Sequence, residues 1–188
     1  FGRKGTNKKV NLKIKIKKKN NKIGVLGGTF DPPHIGHLNI SKIALKTLKL
    51  DNLIWVIAKQ NPFKKKPYLS TKTRLLLSRD ITKTQKKISV KYLNDKVKSL
   101  NTFDILNYLK KKNKKKELFF LMGADNLIKF HKWRNWKKIP NIAKIVVFPR
   151  TNYSNKAFNS IASKKLKKKD LIYINSKKMN ISSSLIRK

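Results

Sequence analysis

From position 22 onward, short apolar runs alternate with stretches of helical spacing. Ile23 to Leu26 form an apolar run that meets Gly27 and Gly28, which predicts a buried strand entering a turn. Leu38, Ile40, Ile43, Ala44, Leu45 and Leu48 recur with a helical period and predict a helix over 37–48. A second buried strand is expected at 53–57, then a loop over 61–68 with two prolines and a lysine run. Ser70 is placed to cap a helix reaching about position 81. Residues 88–92 alternate like a strand, and Asn101 or Thr102 is placed to cap a helix to about 111. Residues 117–122 read as a strand ended by Gly123, followed by short helices over 124–130 and 133–139. Strands at 145–148 and 171–174 and a last helix opened by Ser182 or Ser183 complete the pattern.

Strands alternating with helices predict an α/β fold, a Rossmann-like doubly wound parallel sheet. In such sheets ligands bind beyond the C-terminal strand ends, where the strand order reverses. That rule gathers residues 27–37, 58–66, 123–125 and 149–150 around one crevice. Two units are expected: a basic extension over 1–21 and a domain over 22–188. The extension has no acid. The alternation of Leu12, Ile14 and Ile16 suits an edge strand, but its charge favours a solvated tail.

Composition changes this picture little. No run reaches the length of a membrane span, and the basic N-terminus is not followed by the apolar core of a secretory signal. Cysteine is absent, which excludes disulfides and thiolate metal ligands and makes the cytoplasm the expected location. The charge is extreme: 49 Lys and Arg stand against 8 Asp and Glu, a net +41. A phosphate-gripping nucleic-acid protein invests in arginine and aromatic platforms. Here the excess is lysine scattered over every segment, with arginine only at 3, 74, 79, 134, 150 and 187. Compositional drift toward A/T-rich codons accounts for it better than specific nucleic-acid binding, and the field still attracts anionic substrates. Scarcity makes the remaining acids informative, Asp31 and Asp125 above all, which stand close to glycines in otherwise apolar turns.

The richest segment is Gly27-Gly28-Thr29-Phe30-Asp31-Pro32-Pro33-His34-Ile35-Gly36-His37. Paired glycines let backbone amides approach a phosphate. A helix starting near Gly36 aims unsatisfied N–H groups and a positive dipole end at the same place. His34 and His37 flank it and, as donors, suit phosphoryl oxygens whose charge grows during transfer. A metal site built on this pair lacks ligands, since only Asp31 is near. At the other end, Ser182, Ser183 and Ser184 open a helix with hydroxyl donors, and Arg187 adds a fork of charged donors one turn on. Taken alone, that run is ordinary capping.

These residues resemble the nucleotidylyltransferase superfamily, marked by His-x-Gly-His, and in detail bacterial nicotinate-nucleotide adenylyltransferase. The likeness runs through most of 22–188. It includes Asn61-Pro62-Phe63-Lys64, with Phe63 where the family often has His, and Thr102-Phe103-Asp104-Ile105-Leu106. It continues with Gly123-Ala124-Asp125, with Trp133 and Trp136, and with Ile181-Ser182-Ser183-Ser184-Leu185-Ile186-Arg187, where Ser184 replaces the usual Thr. The resemblance implies AMP transfer from ATP to nicotinate mononucleotide, without a covalent intermediate and with Mg²⁺ carried by ATP. It implies catalytic roles for His34, His37 and Arg187. It implies ATP contacts from Gly27, Gly28, Thr29, Phe30, His34, Gly36, His37, Gly123, Asp125, Arg150, Ser182, Ser184 and Arg187. The mononucleotide falls to Thr29, Lys64, Thr102 and Trp133, with Trp133 stacking on the pyridine and Trp136 supporting it.

Each of these residues also has a plainer reading: core for Trp133, helix caps for Asp125 and Thr102, a surface cation for Arg150 and for Lys64. Nicotinamide mononucleotide is the close rival substrate. Pantetheine-phosphate adenylyltransferases and cytidylyltransferases fit less well around Asp31 to Pro33. A basic nucleic-acid-binding protein without catalysis is the rival from another class. The family continues past the Ile-Arg signature, so sequence beyond Lys188 is expected, and self-association is left open.

Overall fold

A computed structural model describes residues 21–61, 63, 65–176 and 181–187. The proposed extension over 1–21 lies outside them but for Asn21. Six strands alternate with helices: β1 (Lys22–Gly28), α1 (Ile35–Thr47), β2 (Asn52–Ile57), α2 (Thr71–Thr82), β3 (Ile88–Lys91), α3 (Asn94–Val97), α4 (Thr102–Lys112), β4 (Glu117–Gly123), α5 (Ala124–Lys129), β5 (Ala143–Phe148), α6 (Ser154–Phe158), α7 (Ile161–Lys165), β6 (Leu171–Tyr173) and α8 (Ser183–Ile186). All pair in parallel in the order β3-β2-β1-β4-β5-β6. This is the doubly wound order, and it reverses between β1 and β4.

The strands are apolar on both faces because helices cover both, as parallel sheets require. Period-two alternation divides the core. Leu26, Trp55, Phe119, Leu121 and Val146 face one way, toward α1 and α2. Val25, Ile54, Val56, Phe120 and Met122 face the other, toward α4 and α5. Trp55 is fully buried, and its indole N–H donates to Ser41 Oγ at 2.8 Å, which itself donates to the His37 carbonyl at 2.7 Å. A buried indole needs such a partner.

Several sequence expectations shift. β1 does not stop at Leu26: Gly27 and Gly28 pair with Val56 and Ile57 as ladder residues. The turn therefore falls on Phe30, at φ 50°. α1 begins two residues earlier than its apolar spacing, which makes His34 the N-cap and His37 the third helical residue. Ser70 caps α2 through the Thr73 amide as expected. Asn101 occupies the N-cap of α4, yet neither it nor Thr102 caps with its side chain, and Asn101 Nδ2 turns back to Ser99 Oγ instead. A 3₁₀ turn, Trp136–Asn141, replaces the helix expected over 133–139, and another, Phe130–Lys132, ends the one before it, because Trp133 is extended and Asn135 is left-handed between them. The short helices α3, α6 and α7 have too few apolar repeats to announce themselves.

Candidate active site

The loops at the C-terminal ends of β1, β2, β4 and β5 surround one crevice of about 830 Å³, at the point where the strand order reverses. Apart from Lys64, which lies outside the described residues, every site residue expected from sequence lines it.

The loop after β1 is held from behind. Phe30 is 1% exposed and its ring stacks on Trp55 at 4.8 Å and tilts against His37 at 4.7 Å. A contact from Phe30 to a ligand is thus confined to its backbone. A left-handed non-glycine residue costs about 1–2 kcal/mol and persists only where its surroundings fix it. One of the fixing groups is Arg74, a residue sequence reasoning left without a role. It is 1% exposed and its guanidinium donates to carbonyls of three crevice loops, those of Thr29, Ala58 and Lys59, and Leu69. Burial lowers its pKa, and the nearby Asp31 charge opposes that shift.

Asp31 explains its own retention. Its carboxylate accepts the Tyr68 and Leu69 amides, each at 2.9 Å, and so ties the loop before α2 to the loop after β1. It also meets Arg187.

The two histidines stand ring against ring, centroids 3.8 Å apart. His37 Nδ1 accepts the His34 amide at 3.2 Å, so a neutral His37 carries its proton on Nε2. His34 Nδ1 is buried without a hydrogen-bond partner among the described residues, which suits an unprotonated nitrogen there as well. Burial first, and then the Arg150 charge, lower the His34 pKa to about 4. His34 is therefore set to offer Nε2–H as a neutral donor. Gly36 makes this packing fit: a Cβ on it would stand 2.8 Å from His34 Nδ1 and 2.8 Å from Ile181.

On the far side, Arg150 donates to Asp125 Oδ2 at 2.8 Å. Asp125 does not cap α5: the N-cap is Gly123, and the carboxylate is turned toward Arg150 instead. Its Oδ1 is buried and unpartnered among the described residues, a strong acceptor suited to a hydroxyl. Gly123 is needed because a Cβ would come 2.6 Å from that oxygen. Trp133 packs edge-on against Phe120 and Phe130. Trp136 also leans on Phe130, and its amide donates to the Trp133 carbonyl at 3.2 Å. Trp133 and Thr102, the first residue of α4, line the same crevice.

The C-terminal serine run closes the ring. Ser182 caps α8 by accepting the Leu185 amide at 3.2 Å. Ser183 Oγ donates to the Pro32 carbonyl at 2.9 Å. Arg187 donates to the Asp31 carbonyl, lies 3.4 Å from the Asp31 carboxylate and sits over the Tyr68 ring. Residues more than 150 positions apart are thus brought together, and a polyanion entering here meets donors from both ends of the domain. Among the described residues no cluster of three or more His, Cys, Asp or Glu is placed to hold a metal, and Asp31 and Asp125 are each already paired with an arginine.

A family profile described as cytidylyltransferase-like matches residues 25–188. A Pelagibacter ubique protein named "Probable nicotinate-nucleotide adenylyltransferase" is 49% identical over 173 residues, covering 92% of this chain and 96% of its own. A Ruegeria protein of the same name is 37% identical over 128 residues, covering 68% and 67%. In fold, the chain is similar to Plasmodium falciparum nicotinic acid mononucleotide adenylyltransferase complexed with NaAD, with TM-score 0.69, 21% identity, and 88% and 82% of the two chains covered.

Proposed function

The chain belongs to the cytidylyltransferase-like family, on its nicotinate-nucleotide adenylyltransferase branch, and from that premise we propose how its crevice works. The enzyme transfers AMP from ATP to nicotinate mononucleotide, giving nicotinate adenine dinucleotide and pyrophosphate. A phosphate oxygen of the mononucleotide attacks the α-phosphorus of ATP. The new P–O bond forms as the bond to the β-phosphate oxygen breaks, and pyrophosphate leaves. The attacking phosphate is already anionic, so the protein need supply no general base. Its work is alignment and stabilisation of charge on the phosphoryl oxygens.

The observation that carries this reading is the meeting of the two donor clusters in one crevice, with Arg187 on Asp31 and Ser183 on Pro32. In our reading, His34 and His37 donate Nε2–H to α-phosphoryl oxygens, beside the first-turn amides of α1. Ser182, Ser184 and Arg187 take the departing pyrophosphate. Asp125 Oδ1 accepts a ribose hydroxyl, held in place by Arg150. Trp133 stacks on the pyridine ring, and the N-terminus of α4 at Thr102 faces its carboxylate. Mg²⁺ would come in bound to ATP as part of that substrate, since Asp31 and Asp125 are too few to cage an ion of their own.

The test is pyrophosphate release in the presence of ATP and Mg²⁺, comparing nicotinate mononucleotide, nicotinamide mononucleotide and phosphopantetheine. Turnover is expected to favour nicotinate mononucleotide. Equal or better turnover of the amide would overturn the substrate reading. No turnover of any of the three by folded protein would overturn the reaction itself.

A further inference from the structure

Arg74 is the most deeply buried cation among the described residues, and no carboxylate hydrogen-bonds it. An arginine enclosed this way costs desolvation, offset only when its donors are satisfied. Arg74 satisfies them almost wholly on main-chain oxygens. Nη1 donates to Thr29 at 2.6 Å and to Ala58 at 2.7 Å, Nη2 to Lys59 at 3.1 Å, and Nε to Leu69 at 3.1 Å, with Thr71 Oγ1 completing the shell at 3.0 Å. The carbonyls come from the three segments that floor the crevice. Arranged around a planar fork, they cannot shift independently.

The Thr29 bond has a directional consequence. In a trans peptide the C=O and the following N–H point in opposite directions. With the Thr29 carbonyl drawn onto Arg74, the Phe30 N–H is turned away from it. The neighbouring case shows the same geometry completed: Ala58 O is on Arg74, and the Lys59 N–H opposite it meets Asn94 Oδ1 at 3.2 Å. The Phe30 N–H has no such partner among the described residues. Phe30 lines the crevice although its ring is in the core, and its backbone is left-handed at φ 50°.

We propose that Arg74 is a positioning residue: it holds the Thr29–Phe30 peptide so that the Phe30 N–H faces the crevice as a preset donor to a phosphoryl oxygen. The inference rests on the phosphoryl-transfer reading of the crevice but not on which mononucleotide is used. Asp31 complements it by holding the Tyr68 and Leu69 amides while Arg74 holds the Leu69 carbonyl.

The experiment combines kinetics with amide NMR on the full chain. In ¹⁵N-labelled wild-type protein, the Phe30 amide resonance is followed during titration with ATP and Mg²⁺, and a clear shift is expected. Arg74→Gln and Arg74→Lys are then assayed per folded molecule, counted by near-ultraviolet circular dichroism. Misplacing one donor is expected to lower kcat about 100-fold in R74Q, with KM for the mononucleotide changed less than about threefold. R74K, which keeps the charge but not the fork, is expected to recover about tenfold of that loss. The Phe30 response to ATP disappears in R74Q. Unchanged kcat per folded molecule in R74Q overturns the proposal, and so does a wild-type Phe30 amide that ignores ATP. Should neither variant fold, the wild-type titration alone decides. A Phe30 amide that responds to ATP in a protein that does not turn over nicotinate mononucleotide would sink the substrate reading and leave this one standing.

Discussion

The crevice has two sets of phosphate donors built on opposite plans. The loop over 29–37 is fixed from behind by Trp55, Ser41, Arg74 and Asp31, and its two histidines are packed ring to ring. The turn over 182–187 belongs to a helix of four residues, and Arg187 is engaged with Asp31 and Tyr68 rather than aimed at open crevice. The first set is preorganised, so it loses little on binding. The second exchanges one anionic partner for another, so its net gain is the difference between two ion pairs. Chemistry at the α-phosphorus needs the first plan. Admission of ATP and release of pyrophosphate are served by the second.

The sharpest way to break this comparison is to remove a donor from the rigid set. His37→Ala is expected to lower kcat by about a thousandfold, in line with loss of a donor aimed at developing charge. The fold should survive, because Phe30 and Trp55 still stack. Steady-state kinetics with a urea melt tests both statements. Near-normal turnover would remove His37 from the reaction.

Loss on the exchanging side should be smaller and of a different kind. Arg187→Ala is expected to cut kcat/KM for ATP about 100-fold, as for loss of a charged hydrogen bond to phosphate. Asp31→Asn tests the exchange itself. Weakening the resting partner of Arg187 should tighten ATP binding by about threefold, read by isothermal titration, while the loop at Tyr68 and Leu69 loses an acceptor and stability falls by about 1–2 kcal/mol. In the double variant the gain in ATP binding vanishes, since the two residues act on one another. An Asp31→Asn gain that persists without Arg187 would show that Asp31 restrains ATP by another route.

The same contrast explains what the sequence disclosed. The parallel sheet was legible because strands buried on both faces read as continuous apolar runs, as at 53–57 and 117–122. The site was legible where function needs particular residue types at fixed spacing, as in His34, Gly36 and His37. Arg74 was not, since one cation on a helix reads as surface, and its partners are main-chain carbonyls that any sequence supplies. A faint signal existed: in a chain that uses lysine almost throughout, Arg74, Arg150 and Arg187 all bind groups around the crevice. The roles of Asp31 and the turn at Phe30 were hidden for a related reason. Both depend on contacts between loops distant in sequence, which no local period encodes.

The smallest effect concerns His34 and pH. Its folded pKa of about 4 lies below its ordinary 6.5, because burial and Arg150 disfavour the charged ring. The unfolded chain therefore takes up this proton first. Between pH 6.5 and 4 the unfolded state binds more protons than the folded one, so acidification over that window destabilises the fold. Above pH 6.5 the ring is neutral in both states and the contribution is constant. Urea melts of wild type and His34→Gln at pH 7 and pH 4.5 isolate the term, since the two proteins differ only at this ring. The wild type is expected to lose more stability than the variant on acidification. Equal losses would mean that folding leaves the His34 ring as easily protonated as in the unfolded chain, and that burial in the rigid donor set does not hold it neutral below pH 6.5.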